Sequence, residues 1–189
     1  MATLVEKPTT VIRRLGSHTG KRVLFGYDRY LASSIADLDA YRSVLSAFGD
    51  VVDTVDYGRL HYLTSAELVC RGIQADPDAV GVLCCGTGMG MSIAANKFQG
   101  IYAARCTSVE DAELARTINN ANVVCIASKN GLALNGQILQ AFATTPYTGR
   151  KLEELEYITS FEQPAFVSAP TQPGVSAGVP GARTLRRTA

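Results

Sequence analysis

The chain has 189 residues, of which 47% are apolar and 19% charged, with a formal net charge of +1. That length supports one domain with an ordinary hydrophobic core, without help from disulfides or metals. The near-zero charge gives no electrostatic case for nucleic acid or an anionic membrane surface, and no apolar run approaches the ~20 residues that cross a bilayer. Residues 1–20 read as an N-terminal extension; Lys7, Arg13, Arg14 and His18 are spread through them, and the apolar stretch of a secretory signal is missing. Lys21–Tyr27 (KRVLFGY) reads as the first strand. Ile35, Leu38, Tyr41, Leu45 and Phe48 then recur at helical spacing, with Gly49 as the stop. A second strand is expected over 51–55 and a helix over 64–73. Residues 79–84 (AVGVLC) are continuously apolar, as in a strand buried on both faces. Two more strands are expected over 101–105 and 122–126. Between them Ser108 can cap a helix whose first turn carries Glu110 and Asp111. Further helices are expected over 132–142 and after Arg150. Residues 163–189 turn rich in Pro, Gly, Ser, Thr and Ala and read as a tail.

Strands alternating with helices imply an α/β domain over 21–162, with a five-stranded parallel sheet flanked by helices, because parallel strands need crossover connections. Ligands in such folds sit at the carboxyl ends of the strands. That rule selects the loops after Tyr27, Cys84 and Arg105.

The most informative of these loops is the second, Cys84-Cys85-Gly86-Thr87-Gly88-Met89-Gly90-Met91-Ser92, which leaves a buried strand and enters a helix. Its three glycines let the backbone turn sharply and bring amide N–H groups close to a ligand, and a helix N-terminus adds unpaired donors suited to an anion. A tight strand-to-helix connection explains the glycines equally well. The five cysteines (Cys70, Cys84, Cys85, Cys106 and Cys125) are odd in number and contain no CxxC spacing, which argues against a zinc site or a disulfide framework and for a reducing, cytoplasmic setting. Cys85, at the lip of the loop, has the position of a base that takes a proton from carbon while loop amides hold the developing oxyanion. The alternative makes both Cys84 and Cys85 core residues; alternation along a strand puts one of them on each face.

The segment GVLCCGTGMGMSIAANKFQGIYAARC, followed by ELARTINNANVVCIASKNG, resembles the ribose-5-phosphate isomerase B and galactose-6-phosphate isomerase family. The resemblance runs from about Arg22 to Phe161. It implies a Rossmann-like three-layer fold, a homodimer or homotetramer with shared active sites, no metal or organic cofactor, and proton transfer between C1 and C2 of a phosphorylated sugar through a cis-enediolate. By position, Cys85 would be the base and Thr87 would shuttle the proton between the two oxygens. Gly86, Gly88 and Gly90, with Met89 and Ser92, would supply the anion-binding backbone. Asp28 and Asn119 would bind substrate hydroxyls, and Arg150 would bind the phosphate of the partner's substrate.

The sequence also departs from that pattern. Arg29 stands where the family has His after the Asp, Ile118 where it has a ring-opening His, Thr107 where some members place that His instead, and Glu154 where it has a second phosphate arginine. His61 is a candidate lining residue with a surface or core role as its alternative. Pentose and hexose phosphates rest as rings that must be opened, whereas a four-carbon sugar 4-phosphate has no hydroxyl with which to close a five-membered ring. The missing histidine therefore points to a substrate such as erythrulose 4-phosphate, giving erythrose 4-phosphate, with Arg29 as a replacement phosphate ligand; a surface ion pair is the other reading of Arg29. The alternatives are a pentose- or hexose-phosphate isomerase in which Asp28, Tyr62 or a partner residue opens the ring, and a non-catalytic subunit of a heteromeric isomerase. A flavodoxin-like nucleotide or flavin binder is disfavoured, because the spacing lacks the third Rossmann glycine and no acidic residue stands where a ribose would require it.

Overall fold

Strand β1 (Lys21–Tyr27) is buried from Val23 onward, and β3 (Val80–Cys85) and β5 (Val123–Ala127) are buried along their whole length. Their β-branched and apolar sequences suit a sheet covered on both faces. The edge strands β2 (Gly49–Asp53) and β4 (Ala103–Arg105) are only part-buried. The computed structural model describes residues 12–162, and in it the five strands are all parallel, in the order β2-β1-β3-β5-β4.

Helices α1 (Arg29–Ala32), α2 (Ile35–Ser46), α3 (Tyr62–Ala75), α4 (Met89–Ala95), α5 (Val109–Thr117), α6 (Gly131–Thr144) and α7 (Leu152–Thr159) complete the domain. Leu38, Tyr41 and Leu45 of α2, Ala112 and Ala115 of α5, and Ile138, Leu139 and Phe142 of α6 pack with Phe25, Val82, Cys84 and Ile126 on one face. Ala66, Val69 and Ile73 of α3 and Met91 and Ala95 of α4 pack with Leu24, Leu83, Cys85 and Cys125 on the other. Alternation along β3 thus sends Cys84 and Cys85 to opposite sides of the sheet. The expected cap of α5 is a full capping box between Ser108 and Asp111.

Four expectations need correction. Strand β2 begins two residues early, because Gly49 is its first residue and not only a helix stop; a Cβ there would lie 2.0 Å from the Lys21 carbonyl oxygen. Strand β3 runs one residue further, making Cys85 its last residue. Helix α1 was not foreseen; Asp28 caps it by accepting from Tyr30 N–H and Leu31 N–H. The extension placed at 1–20 is not separate over residues 12–20: Ile12 is fully buried, His18 is 5% exposed, and Gly16 pairs with Tyr147. The proposed tail, 163–189, lies outside the described residues. No helix among the described residues is long and apolar enough to cross a membrane.

Because β2 and β3 flank β1 on opposite sides, the strand order reverses at β1. The crevice outside the carboxyl ends of β1 and β3 is the position such folds use for ligands.

Candidate active site

Two residues close that crevice. The Asp28 N–H donates to the Cys84 carbonyl at 3.2 Å, fastening the end of β1 to the end of β3. Asp28 is 7% exposed; its Oδ1 caps α1 and its Oδ2 has no hydrogen-bond partner among the described residues. Cys85 faces α3 and α4, and its Sγ accepts the Gly88 N–H at 3.2 Å. That bond fixes the sulfur against the backbone of the turn. Gly88 achieves it at φ +71°, where a Cβ would sit 3.2 Å from the Ile126 carbonyl, so turn and close approach both call for glycine. A Cβ added at Gly86 would meet nothing within 4 Å, so the turn opens to free space immediately beside the sulfur. The thiol is less open than the sequence suggests, at 5% exposure. Cys84 is fully buried on the other face, and burial pushes its thiol well above the ordinary range, with Asp28 and Cys85 adding to the shift.

The loop is a narrower anion cradle than expected. Helix α4 has seven residues, too few for a substantial dipole. The Ser92 N–H already donates to the Gly88 carbonyl at 3.1 Å, and the Met89 N–H donates to Thr87 Oγ1 at 3.3 Å. The N–H groups of Thr87, Gly90 and Met91 have no backbone acceptor outside regular structure among the described residues. Thr87 itself is exposed.

Around this core, Arg29 is exposed, lies 5.8 Å from the centre of the Tyr30 ring, and forms no ion pair among the described residues. Among the described residues the ion-pair reading of Arg29 finds no partner. His61 is exposed and caps α3, its Nδ1 accepting the Leu63 N–H at 3.3 Å. Three further residues lie near this core: Tyr62, which the sequence reading names only as an alternative ring-opening group, and Arg105 and Lys129, which it leaves out. Tyr62 lies against α4, where a Cβ on Gly90 would come within 2.7 Å of its ring. Half-buried Arg105 donates from Nε to the Thr87 carbonyl at 2.8 Å and meets no carboxylate within ion-pair distance among the described residues. Lys129 is exposed on the turn Ser128–Asn130 that leaves β5, whose Ala127 is in register with Cys85. Applying the carboxyl-end rule to the fifth strand would have found Lys129.

Asn119 and Arg150 are elsewhere. Asn119 is exposed in the turn that enters β5, at the amino end of the sheet. A strand of five residues spans about 16 Å, so Asn119 does not reach Cys85 of its own chain. Arg150, also exposed, follows Tyr147, which is bridged to Gly16 ahead of β1. Within the NNANV motif the other asparagines are structural. Asn120 Nδ2 donates to the carbonyls of Ile12 and Arg14, and Asn122 bonds Tyr102 N–H and Gly100 O. Asn119 borders a groove of about 270 Å³ whose wall includes Tyr102, Ala104, Leu155 and Ile158.

Comparison with known proteins gives a consistent set of relatives. The sequence model described as Ribose/Galactose Isomerase matches residues 35–158. Ribose-5-phosphate isomerase B of Escherichia coli is 41% identical over 105 residues, covering 54% of this chain and 68% of the bacterial protein. A 4-deoxy-4-sulfo-D-erythrose isomerase from a Clostridium species is 34% identical over 140 residues, covering 70% of this chain and 84% of that protein. A longer Arabidopsis thaliana protein, named as a DNA damage-repair/toleration protein, is 36% identical over 67% of this chain, but the match spans only 40% of its own length. Among solved structures, the type B ribose 5-phosphate isomerase of Leishmania infantum superposes with a TM-score of 0.65 at 32% identity, over 76% of this chain and 97% of that one.

Proposed function

Since the chain belongs to the ribose/galactose isomerase family of sugar-phosphate aldose–ketose isomerases, we propose that it isomerises a short, acyclic sugar bearing a terminal anion, with Cys85 as the carbon base. The observation that carries this reading is the Cys85 sulfur at the carboxyl end of β3, held by the Gly88 N–H at 3.2 Å beside the unobstructed face of Gly86. The Cys85 thiolate takes the proton from C2 of the aldose and returns it to C1. Thr87 relays the hydroxyl proton between O2 and O1, so that the cis-enediolate closes to the ketose with no net gain or loss of atoms. The free loop N–H groups hold the oxyanion while it exists.

Chain length follows from ring chemistry. No histidine stands at the positions the family uses for ring opening, and the chain's two histidines are His18, buried at the amino end of the sheet, and His61, capping α3. Erythrose 4-phosphate cannot form a five-membered ring because its O4 is esterified. The substrate named for the Clostridium relative cannot either, since it lacks O4. Arg29, free of any ion pair among the described residues, is the phosphate or sulfonate ligand on this side.

The site is completed by a second copy. Asn119 and Arg150 lie too far from Cys85 to serve it within one chain, and both are exposed. Met89 and Ile93, 50% and 65% exposed on the outer face of α4, are apolar surface suited to contact with another copy. A coupled assay over erythrulose 4-phosphate, 4-deoxy-4-sulfo-erythrulose, ribose 5-phosphate and galactose 6-phosphate tests the substrate. A four-carbon compound is expected to give the highest kcat/KM. Turnover of ribose 5-phosphate far above both four-carbon compounds would refute the short-substrate reading and favour ring opening by Tyr62 or Asp28.

A further inference from the structure

The segment ahead of β1 touches the elements that carry both residues lent to the neighbouring copy. Ile12 is buried with Tyr147 and Leu155. Gly16 and Tyr147 exchange two backbone hydrogen bonds, at 2.9 and 3.0 Å, and the Tyr147 hydroxyl donates to the Arg150 carbonyl at 3.0 Å. On the other side, Asn120 follows Asn119 directly. Its Nδ2 donates to the carbonyls of Ile12 at 2.7 Å and Arg14 at 3.0 Å, and its Oδ1 accepts from Arg116 at 2.8 Å. Arg116, 1% exposed, also donates to the carbonyls of Ala121 at 2.7 Å and Gly16 at 2.9 Å. Asn120 keeps φ at +46°, a left-handed conformation that a residue with a Cβ holds only where its surroundings fix it.

We infer that residues 12–16 form a strap that fixes Asn119 and Arg150 relative to each other, making the strap and Asn120 positioning elements for the site of the neighbouring copy. This rests on the reading of Asn119 and Arg150 as lent residues. A hydroxyl ligand and an anion ligand on two separate elements must keep one separation to fit one substrate. The strap is hydrogen-bonded to both elements, and its bonds run mostly to backbone carbonyls, which do not depend on solvent-exposed side chains keeping their rotamers. Constellations of this kind tolerate about 0.5 Å of error.

Asn120→Gly removes the staple and leaves the backbone free to keep its turn, since glycine takes positive φ without strain. With erythrulose 4-phosphate and ribose 5-phosphate as probes, the variant should lose roughly tenfold to a hundredfold in kcat/KM, mainly through KM. The deciding measurement is complementation between co-assembled chains. A dimer of one Asn120→Gly chain and one Cys85→Ala chain has a single site that combines an intact Cys85 with an intact strap. Random assortment should therefore restore about a quarter of wild-type activity, well above either parent. A parallel pairing of Asn119→Ala with Cys85→Ala tests the shared site alone. Recovery in that pairing but not with Asn120→Gly would overturn the strap, as would an Asn120→Gly dimer as active as wild type. Failure of both pairings would overturn the shared site and the strap with it.

Discussion

The two ends of the sheet are built on opposite plans. At the carboxyl ends, groups are left available: the Gly86 turn opens to free space, Asp28 Oδ2 is unpartnered among the described residues, and Thr87 is exposed. At the amino ends, polar groups are buried and tied. Arg116 spends its guanidinium on three acceptors, Asn120 and Asn122 spend their amides on backbone, and His18 is held by the Ala121 carbonyl at 3.0 Å. Asn119 and Arg150 are exposed beside that framework. One end leaves polar groups available, and the other ties most of its buried polar groups into the framework beside Asn119 and Arg150.

The largest expected effect tests the reactive end. Cys85→Ala should lower kcat by about a hundredfold to ten-thousandfold, the range of a missing general base, in a chain that still folds at a cost of about 1 kcal/mol for the lost buried sulfur. Cys84→Ala, one residue away, should leave kcat within a few-fold and cost about 1 kcal/mol of stability, because it removes a buried atom from the opposite core. Steady-state kinetics with urea titrations on both variants check this. Equal losses of kcat would erase the distinction between the two faces of β3.

How much of this was legible in the sequence follows from the range of the interactions. The strands and the Ser108 cap were readable because burial on both faces and capping leave local signatures in apolar runs and Ser–acid spacing. The loop was readable because close backbone approach and positive φ call for glycine at Gly88. The strap was not, since Arg13, Arg14 and His18 look like a solvated extension and their segment is held through backbone carbonyls, which any residue carries. Arg105 was hidden for a related reason. It is adjacent to Thr87 only after β4 has been placed beyond β5, and nothing in local sequence reports that order.

The next effect tests the tied end through pH. Burial, reinforced by Arg116 and then Lys21 as like charges, lowers the His18 pKa from 6.5 to about 3, against the raising influence of the Ala121 carbonyl. Between these values the unfolded chain binds a proton that the folded chain does not, so stability rises with pH. It is fully present above about 6.5 and falls as pH drops toward 3, by an amount on the order of a few kcal/mol. His18→Gln keeps a donor for the Ala121 carbonyl and removes the titration. Urea unfolding at pH 4 and pH 7 should show a much smaller difference for the variant than for wild type. Equal pH dependence in both would mean that His18 is solvated.

Arg150→Ala should raise KM by about tenfold to a hundredfold with kcat within a few-fold, as expected for losing a charged hydrogen bond to substrate. Its side chain is exposed and, among the described residues, only its carbonyl is engaged, so the thermal midpoint should not move. A fall in the midpoint with unchanged KM would make Arg150 part of the framework and not an exposed residue beside it.

The smallest effect concerns a single side-chain tie at the open end. Arg105 Nε donates to the Thr87 carbonyl at 2.8 Å, which fixes the peptide preceding Gly88, whose N–H in turn holds the Cys85 sulfur. Arg105→Met keeps the length of the side chain and removes the donor, and kcat should fall by about threefold to tenfold, one lost hydrogen bond to a carbonyl. Arg105→Lys should not restore it, because a lysine ammonium lacks the fixed Nε geometry. If Arg105 acts by aiming Thr87, its loss should cost little on a Thr87→Ala background, since residues in one network are not additive. A full threefold to tenfold loss on that background would instead assign Arg105 to the substrate's anion, moving it from the loop's support to its binding surface.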